Sequence, residues 1–114
     1  MTDQRFIIEM GSGNDQYGMD YTKAAARAIE DAIRHSAIPM LAARGIPHQE
    51  MRVQVTIGVQ EPDKLDTEAL KTALPRGTTT ITATHGGLNV TNPDTNTTIV
   101  IATAAVEAFL PKQV

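Results

Sequence analysis

The chain has 114 residues, enough for one domain (residues 1–114) and too few for a second. A formal net charge of −3 argues against an electrostatic nucleic-acid binder, which normally carries a basic stripe. The chain contains no cysteine, which excludes disulfides, thiolate metal sites and cysteine nucleophiles. Residues 1–5 lead directly into a short apolar run, which is too short for a signal peptide or a membrane span. We therefore expect a cytoplasmic protein that contacts neither membrane nor nucleic acid.

Hydrophobic residues make up 41% of the chain but aromatic residues only 4%, so the core must be aliphatic. A chain of this size buries roughly 60–70% of its unfolded surface on folding. A subunit interface could supply further burial.

The first predicted elements are a strand and a polar loop. Residues 5–10 form a short apolar run bounded by glycine, which predicts a strand. Residues 11–20 contain three glycines, one serine, one asparagine and two aspartates. This composition predicts a loop with unusual backbone angles or a close backbone approach to another group.

A long helix is predicted over residues 21–44, with Asp20 or Thr22 as its N-cap. The alanine run at residues 24–26 would let this helix lie close to a sheet. Pro39 is expected to kink or end its first part. Two ion pairs with i,i+4 spacing are expected on its polar face, between Arg27 and Asp31 and between Glu30 and Arg34.

The second half of the chain is rich in strand signals. Residues 51–60 alternate apolar and polar side chains with period two, which predicts a strand with one buried face. A short helix over residues 67–74 follows, and its N-cap is Asp66 or Thr67. The remaining segments are a strand at 78–84, a hairpin arm at 88–91, a turn at 92–96, and an apolar segment at 97–110 that periodicity assigns to neither strand nor helix. The order β-α-β-α-β-β predicts an α+β two-layer sandwich, with the sheet packed on two helices.

The predicted glycine loop is the first candidate site. Free amides at a helix N-terminus, next to glycines, can bind an anion or a small polar ligand. The spacing matches neither a dinucleotide-binding motif nor a P-loop, and Asp15 and Asp20 would repel a phosphate. The alternative is a structural loop in which Asp20 caps the helix. Asn14, Asp15 and Asp20 could supply oxygen ligands to a hard cation, but their spacing matches no EF-hand loop. The three histidines lie far apart and lack zinc spacing. We expect no metal and no cofactor.

Two further groups are candidates. Lys23 and Arg27 lie one turn apart beside the loop, where they could clamp an anionic group or form an ordinary solvated face. His85 precedes two consecutive glycines, whose amides could build an oxyanion hole or a tight turn. Lys23 lies where the helix dipole disfavours a cation, so we expect Asp15 or Asp20 to hold its ammonium group.

Most of the chain resembles a small uncharacterised family of conserved hypothetical bacterial proteins, of the Lin type. The residues that carry this resemblance are Gly11-x-Gly13-x-Asp15-x-x-Gly18-x-Asp20-Tyr21-Thr22-Lys23-Ala24-Ala25, Asp31-Ala32-Ile33-Arg34-His35, Ile57-Gly58-Val59, Gly86-Gly87-Leu88 and Val100-Ile101-Ala102.

A more distant resemblance is to one repeat of the ring-opening amidohydrolases, the cyanuric acid hydrolase and barbiturase family. Asp20-Tyr21-Thr22-Lys23 resembles an Asp-aromatic-Thr-basic segment of a repeat, and His85-Gly86-Gly87 resembles a Ser-Gly-Gly turn. The family's three repeats surround a pseudo-threefold axis, which implies that a free-standing unit forms a homotrimer. His85 stands where the family has serine, and the loop lysine has no counterpart between Met10 and Asp15.

These patterns leave three classes of function open. The first is a hydrolase-like enzyme acting on a cyclic amide-like compound at a subunit interface of a ring-forming homo-oligomer. The second is a metabolite-binding oligomer without turnover, and the third is a structural subunit. The predicted catalytic residues are Lys23, Asp20 and His85, and the predicted ligand-binding residues are Gly11, Ser12, Gly13, Asp15, Arg27, Gly86 and Gly87.

Overall fold

The computed structural model describes residues 3–34, 51–72, 74 and 78–111. Five strands and two α-helices make up this part of the chain. In chain order they are β1 (Asp3–Asp15), α1 (Tyr21–Arg34), β2 (Arg52–Val59), α2 (Thr67–Lys71), β3 (Thr78–His85), β4 (Leu88–Asn92) and β5 (Thr97–Pro111), with a 3-10 turn at Pro62–Lys64 before α2.

The strands form one mixed sheet in the order β1-β5-β2-β3. β5, with 15 residues, is the longest strand and is antiparallel to both β1 and β2, whereas β2 and β3 are parallel. β2 and β4 pair with the same edge of β5. β4 pairs with the first five residues of β5, and β2 pairs with later residues. β5 therefore organises the whole sheet.

The core lies between α1 and one face of the sheet. Alternate side chains of β2 and β5 are buried on this face: Val53, Val55, Ile57, Val59, Val100, Ala102, Ala104, Val106, Ala108 and Leu110. The helix contributes Tyr21, Ala24, Ala25, Ala28, Ile29 and Ala32. Small side chains on α1 let the helix approach the sheet closely, as the alanine run predicted.

The chain changes strand neighbour at Gly86 and Gly87. β3 runs beside β2, and β4 then lies beyond the end of β2, against β5. Gly87 has φ +61°, and a Cβ there would collide with the carbonyl oxygen of Ile101. The crossing from β3 to β4 thus requires glycine at position 87.

The predicted α+β sandwich is confirmed, one element prediction is wrong and one open assignment is decided. The segment 11–15 is the second half of β1 rather than part of a loop, and residues 97–111 are extended throughout. The sheet therefore has five strands, one more than the predicted order contains. The predicted continuation of the helix beyond Arg34, with Pro39, lies outside the described residues.

Of the two predicted ion pairs in α1, the pair between Glu30 and Arg34 is confirmed at 3.1 Å. Arg27 does not face Asp31. Its Nη1 donates to the carbonyl oxygen of Asn14 at 2.6 Å, and Asp31 accepts from the amide of Ser12. Both residues connect α1 to β1.

Candidate functional site

Asp15, the last residue of β1, joins the start of α1 to the sheet. Its Oδ2 accepts from the amide nitrogens of Gly18 at 3.2 Å and Asp20 at 3.0 Å. Its Oδ1 lies 3.8 Å from both Lys23 Nζ and Arg27 Nη1. The prediction that a loop carboxylate holds Lys23 is therefore confirmed, with Asp15 as the partner.

These bonds lower the pKa of Asp15 below its ordinary value of 3.8. The amide of Asp20 contributes most, and Lys23, the amide of Gly18 and Arg27 lower the pKa further, whereas burial raises it. Asp20 accepts from the amide of Lys23 at 3.0 Å and so caps the first turn of α1. The loop of residues 16–20 is thus held by the Asp15 carboxylate, and Asp20 caps the helix that follows it.

Tyr21 lies at the centre of a second polar cluster. Its buried hydroxyl donates to Glu61 Oε2 at 2.8 Å and accepts from Asn89 Nδ2 at 2.8 Å. The hydrogen bond from Tyr21 contributes most to lowering the pKa of Glu61 below its ordinary value of 4.5, and a bond from Lys64 lowers it further. The cluster joins α1, the turn after β2, and β4. No sequence pattern predicted this connection, because its three principal members lie far apart along the chain.

The sheet face opposite α1 carries a groove of about 590 Å3. Strand pairing places Ser12, Thr103, Gly58 and Thr84 in one row across β1, β5, β2 and β3. We call this row, together with Thr56 in the next row of the sheet, the hydroxyl row. Met10 and Ala105 add apolar surface on one side of it.

Gly58 is the reason for the depth of the groove. A Cβ at this position would lie 2.8 Å from Thr103 Oγ1 and 3.3 Å from the Cα of Gly86. Any larger residue would therefore project into the middle of the row. Within the described part of the chain, the hydroxyls of Ser12, Thr56, Thr84 and Thr103 have no hydrogen-bond partner. Four residues with unpaired hydroxyls thus line one groove.

His85 and Gly86 lie at the β3 end of the groove. The amide of Gly86 donates to the carbonyl oxygen of Val59 at 3.0 Å, so in this conformation it is occupied within the sheet. Gln60 Nε2 donates to the carbonyl oxygens of Gly86 and Gly87 at 3.0 and 3.1 Å. The glycine pair is accordingly a tightly bonded turn.

The predicted site residues fall into two groups. Asp15, Asp20, Lys23 and Arg27 meet at the start of α1, whereas Gly11, Ser12, His85 and Gly86 line the groove. Gly13 is buried beneath α1, where a Cβ would overlap the helix backbone. Among the described residues, no hydrogen bond or ion pair connects His85 to the residues that meet at the start of α1. The sequence analysis missed Thr56, Gly58, Thr84 and Thr103, although the alternation of β2 had marked Thr56 and Gly58 as members of its polar face.

The described residues contain no group of three His, Cys, Asp or Glu side chains that could hold a metal ion. No helix within residues 3–34 or 51–72 is long and apolar enough to span a membrane.

The fold and the groove define a small α+β domain that presents a concave sheet face. Residues 5–108 match a family described as conserved hypothetical protein (Lin0512_fam), and this chain belongs to that family. It is also similar to the crystal structure of an FtsZ-like protein of unknown function from Nostoc punctiforme. The two chains share 35% sequence identity with a TM-score of 0.83, over 98% of this chain and 99% of the other. None of the curated proteins compared with the chain matches it.

The resemblance to an uncharacterised hypothetical family is thereby confirmed. The resemblance to the ring-opening amidohydrolases stays a prediction.

Proposed function

We propose that this protein binds a small, uncharged polar molecule in the groove along the hydroxyl row. The observation that carries the proposal is the set of four residues with unpaired hydroxyls that line one cavity of about 590 Å3. Ligand pockets commonly measure about 300–1,000 Å3 and combine apolar surface with a few polar groups that fix orientation. Met10 and Ala105 provide the apolar part here.

The charge of the lining favours an uncharged ligand. The described residues that line the groove include Asp31 and His85 but no lysine or arginine. An anion entering the groove would lose hydration without gaining a cationic partner, which is unfavourable. Threonine and serine hydroxyls both donate and accept hydrogen bonds, so they suit a molecule with N–H and C=O groups side by side. Cyclic amides are compounds of this kind.

Binding is favoured over hydrolysis by the positions of the reactive groups. Ser12 and Thr84 occupy the two ends of the row, three strand spacings or about 14 Å apart. His85 follows Thr84, so it is too far away to activate Ser12 within one copy of the chain. Among the described residues of one copy, His85 is therefore excluded as the base for Ser12. The description FtsZ-like, given to the Nostoc punctiforme protein, names no ligand and adds none to this proposal.

We also propose that the protein is a ring-forming homo-oligomer, with the trimer that the amidohydrolase resemblance implies as the expected size. A one-sided sheet with an aromatic-poor core supports association, because the uncovered face offers further apolar surface to bury.

A thermal-shift screen of neutral metabolites, with cyclic amides among them, tests the binding proposal. A ligand at a hundredfold excess over its Kd stabilises the folded state by about 2.7 kcal/mol. Thr84→Val removes one groove hydroxyl, and Thr80→Val removes a hydroxyl from the same face of the same strand outside the groove. Hits should weaken in Thr84→Val and persist in Thr80→Val. The proposal fails if no neutral compound stabilises the protein, or if Thr84→Val binds every hit unchanged.

NMR detection of ligand consumption then separates binding from turnover. An unchanged ligand supports a binding protein, whereas conversion to a ring-opened product supports the hydrolase.

A further inference from the structure

The sheet face opposite α1 is the least ordinary surface of the molecule. We call it the open face. By strand register, four exposed apolar side chains lie on it: Ile8, Met10, Leu88 and Val90. Ile8 and Met10 lie on one side of the hydroxyl row, and Leu88 and Val90 lie on the other. Two apolar patches on one face, with polar residues between them, make this face a candidate contact surface.

The area of the open face is close to that of a standard interface. Strands of 5 to 15 residues, at about 3.3 Å per residue and about 4.8 Å between strands, give it roughly 700 Å2. A stable protein–protein interface buries about 800 Å2 on each partner. A second copy of the chain brings a face of equal area. Two such faces would bury about the area that a stable interface needs.

The charged side chains on the open face have partners among the described residues. Arg5 Nη1 lies 3.3 Å from Glu107 Oε2, and the guanidinium of Arg52 lies 4.0 Å from the ring centre of Phe109. Arg5 and Glu107 would therefore enter an interface as an ion pair, and Arg52 would keep its contact with the ring, which lowers the cost of covering the face.

Association through the face is favoured over association through the β1 edge. The amide of Ser12 points outward from edge strand β1, but Asp31 Oδ2 accepts from it at 3.0 Å. A strand added to this edge would have to displace that carboxylate, which is one way in which proteins protect exposed edges.

We infer that copies of this chain meet through their open faces, so that the groove becomes an enclosed cavity between subunits. The inference rests on the proposed association of copies and names the surface, and two equal faces that meet in this way close as a twofold dimer rather than as a trimeric ring. Among the described residues of a single copy the groove is open on one side, and a facing copy would exclude water from the hydroxyl row.

Light scattering of the full chain after size exclusion tests the inference. The parent protein should have twice the single-chain mass, and Ile8→Lys and Val90→Lys should reduce it to one chain while the circular dichroism spectrum is retained. Met19→Lys is the matched control, because Met19 and Ile8 are both 42% exposed but Met19 lies in the loop before α1. Met19→Lys should keep the parent mass.

A monomeric parent would overturn both the oligomer and the interface. An oligomer that survives both lysine substitutions would overturn only the interface, and a parent protein that has the expected mass but binds no neutral compound would overturn only the binding proposal.

Peroxide oxidation of the unsubstituted protein gives a second measurement, which stands even if the lysine variants do not fold. Met10 is 71% exposed in one copy and Met19 is 42% exposed. A free copy should therefore oxidise faster at Met10, since sulfoxide formation follows exposure. Buried open faces should reverse this order, with Met19 oxidised first in peptide mass spectra. Faster oxidation of Met10 under conditions where the oligomer persists would overturn the inference.

Discussion

Gly13 of β1 lies directly beneath Ala28 of α1, with no room for a side chain between strand and helix. A Cβ on Gly13 would overlap the amide nitrogen of Ala28, and one on Gly11 would lie 2.5 Å from the carbonyl oxygen of the same residue. Close packing of the helix against β1 thus explains both glycines without a ligand. It also fixes the position of α1, and hence of Asp31 at the end of the groove.

Gly13→Ala should be severely destabilising. The added methyl group would meet helix backbone, which cannot move aside as a flexible side chain can, so we expect a loss of at least about 3 kcal/mol of unfolding free energy. Urea denaturation measures it. Gly18→Ala is the comparison, since its Cβ would lie 3.1 Å from a side-chain oxygen of Asp15 rather than against backbone. An equal loss in both variants would contradict the packing explanation.

Asp15 should make stability depend on pH in the acid range. Because its pKa in the folded state is below the ordinary 3.8, the folded protein binds fewer protons there than the unfolded chain. This contribution is present above about pH 4 and is lost as the pH falls through the folded-state pKa. Asp15→Asn should lower stability at pH 7 and flatten the acid limb of a plot of melting temperature against pH. Asp94→Asn, in the exposed turn between β4 and β5, should leave that limb in place. An unchanged limb in Asp15→Asn would show that other groups cause it.

Tyr21→Phe should remove the bonds that join α1 to Glu61 and Asn89. We expect a cost of about 1 kcal/mol, since one buried hydroxyl is lost and two partners must find water. The pKa of Glu61 should also rise toward 4.5, because its bond from Tyr21 contributes most to the lowering. Carboxyl-carbon NMR titration measures that pKa. Tyr17→Phe is the matched control, because the Tyr17 side chain is 87% exposed. A Glu61 pKa that does not move in Tyr21→Phe would contradict the account.

Gly87→Ala should destabilise the protein more than Gly86→Ala. Residue 87 combines a positive φ with a Cβ position that collides with the carbonyl oxygen of Ile101, whereas the nearest atom at residue 86 is the Cα of Gly58 at 3.2 Å. The crossing from β3 to β4 should weaken only in the first variant. The rate of hydrogen exchange at the β4 amides measures this weakening. Equal exchange in both variants would show that residue 87 tolerates a side chain.

Local patterns predicted much of the fold. The alternation at residues 51–60, the Asp66 cap and the apolar face of α1 all lie within one element, so their periodicity is visible in the sequence. The glycine stretch was misassigned because its glycines suggested a turn. The alanines at 24, 28 and 32 repeat every four residues on the helix face that covers those glycines, which is the signal that could have placed residues 11–15 in a strand.

The groove could not be predicted in the same way. Ser12, Gly58, Thr84 and Thr103 become neighbours only through the strand order and register of four strands, which are non-local properties. Threonines in this half of the chain are equally explained by strand propensity. The sequence named Ser12 and His85 as candidates, but strand order separates them.

The most direct test of the central proposal is an amide NMR titration of the full chain with neutral cyclic amides that stabilise it. Binding in the groove predicts that the largest shift changes occur at Ser12, Thr56, Gly58, Thr84 and Thr103, with little change at Lys23 and Arg27. The account would be contradicted if the largest shift changes occurred at residues 15–27 and the hydroxyl row were unaffected. The binding site would then lie at the start of α1.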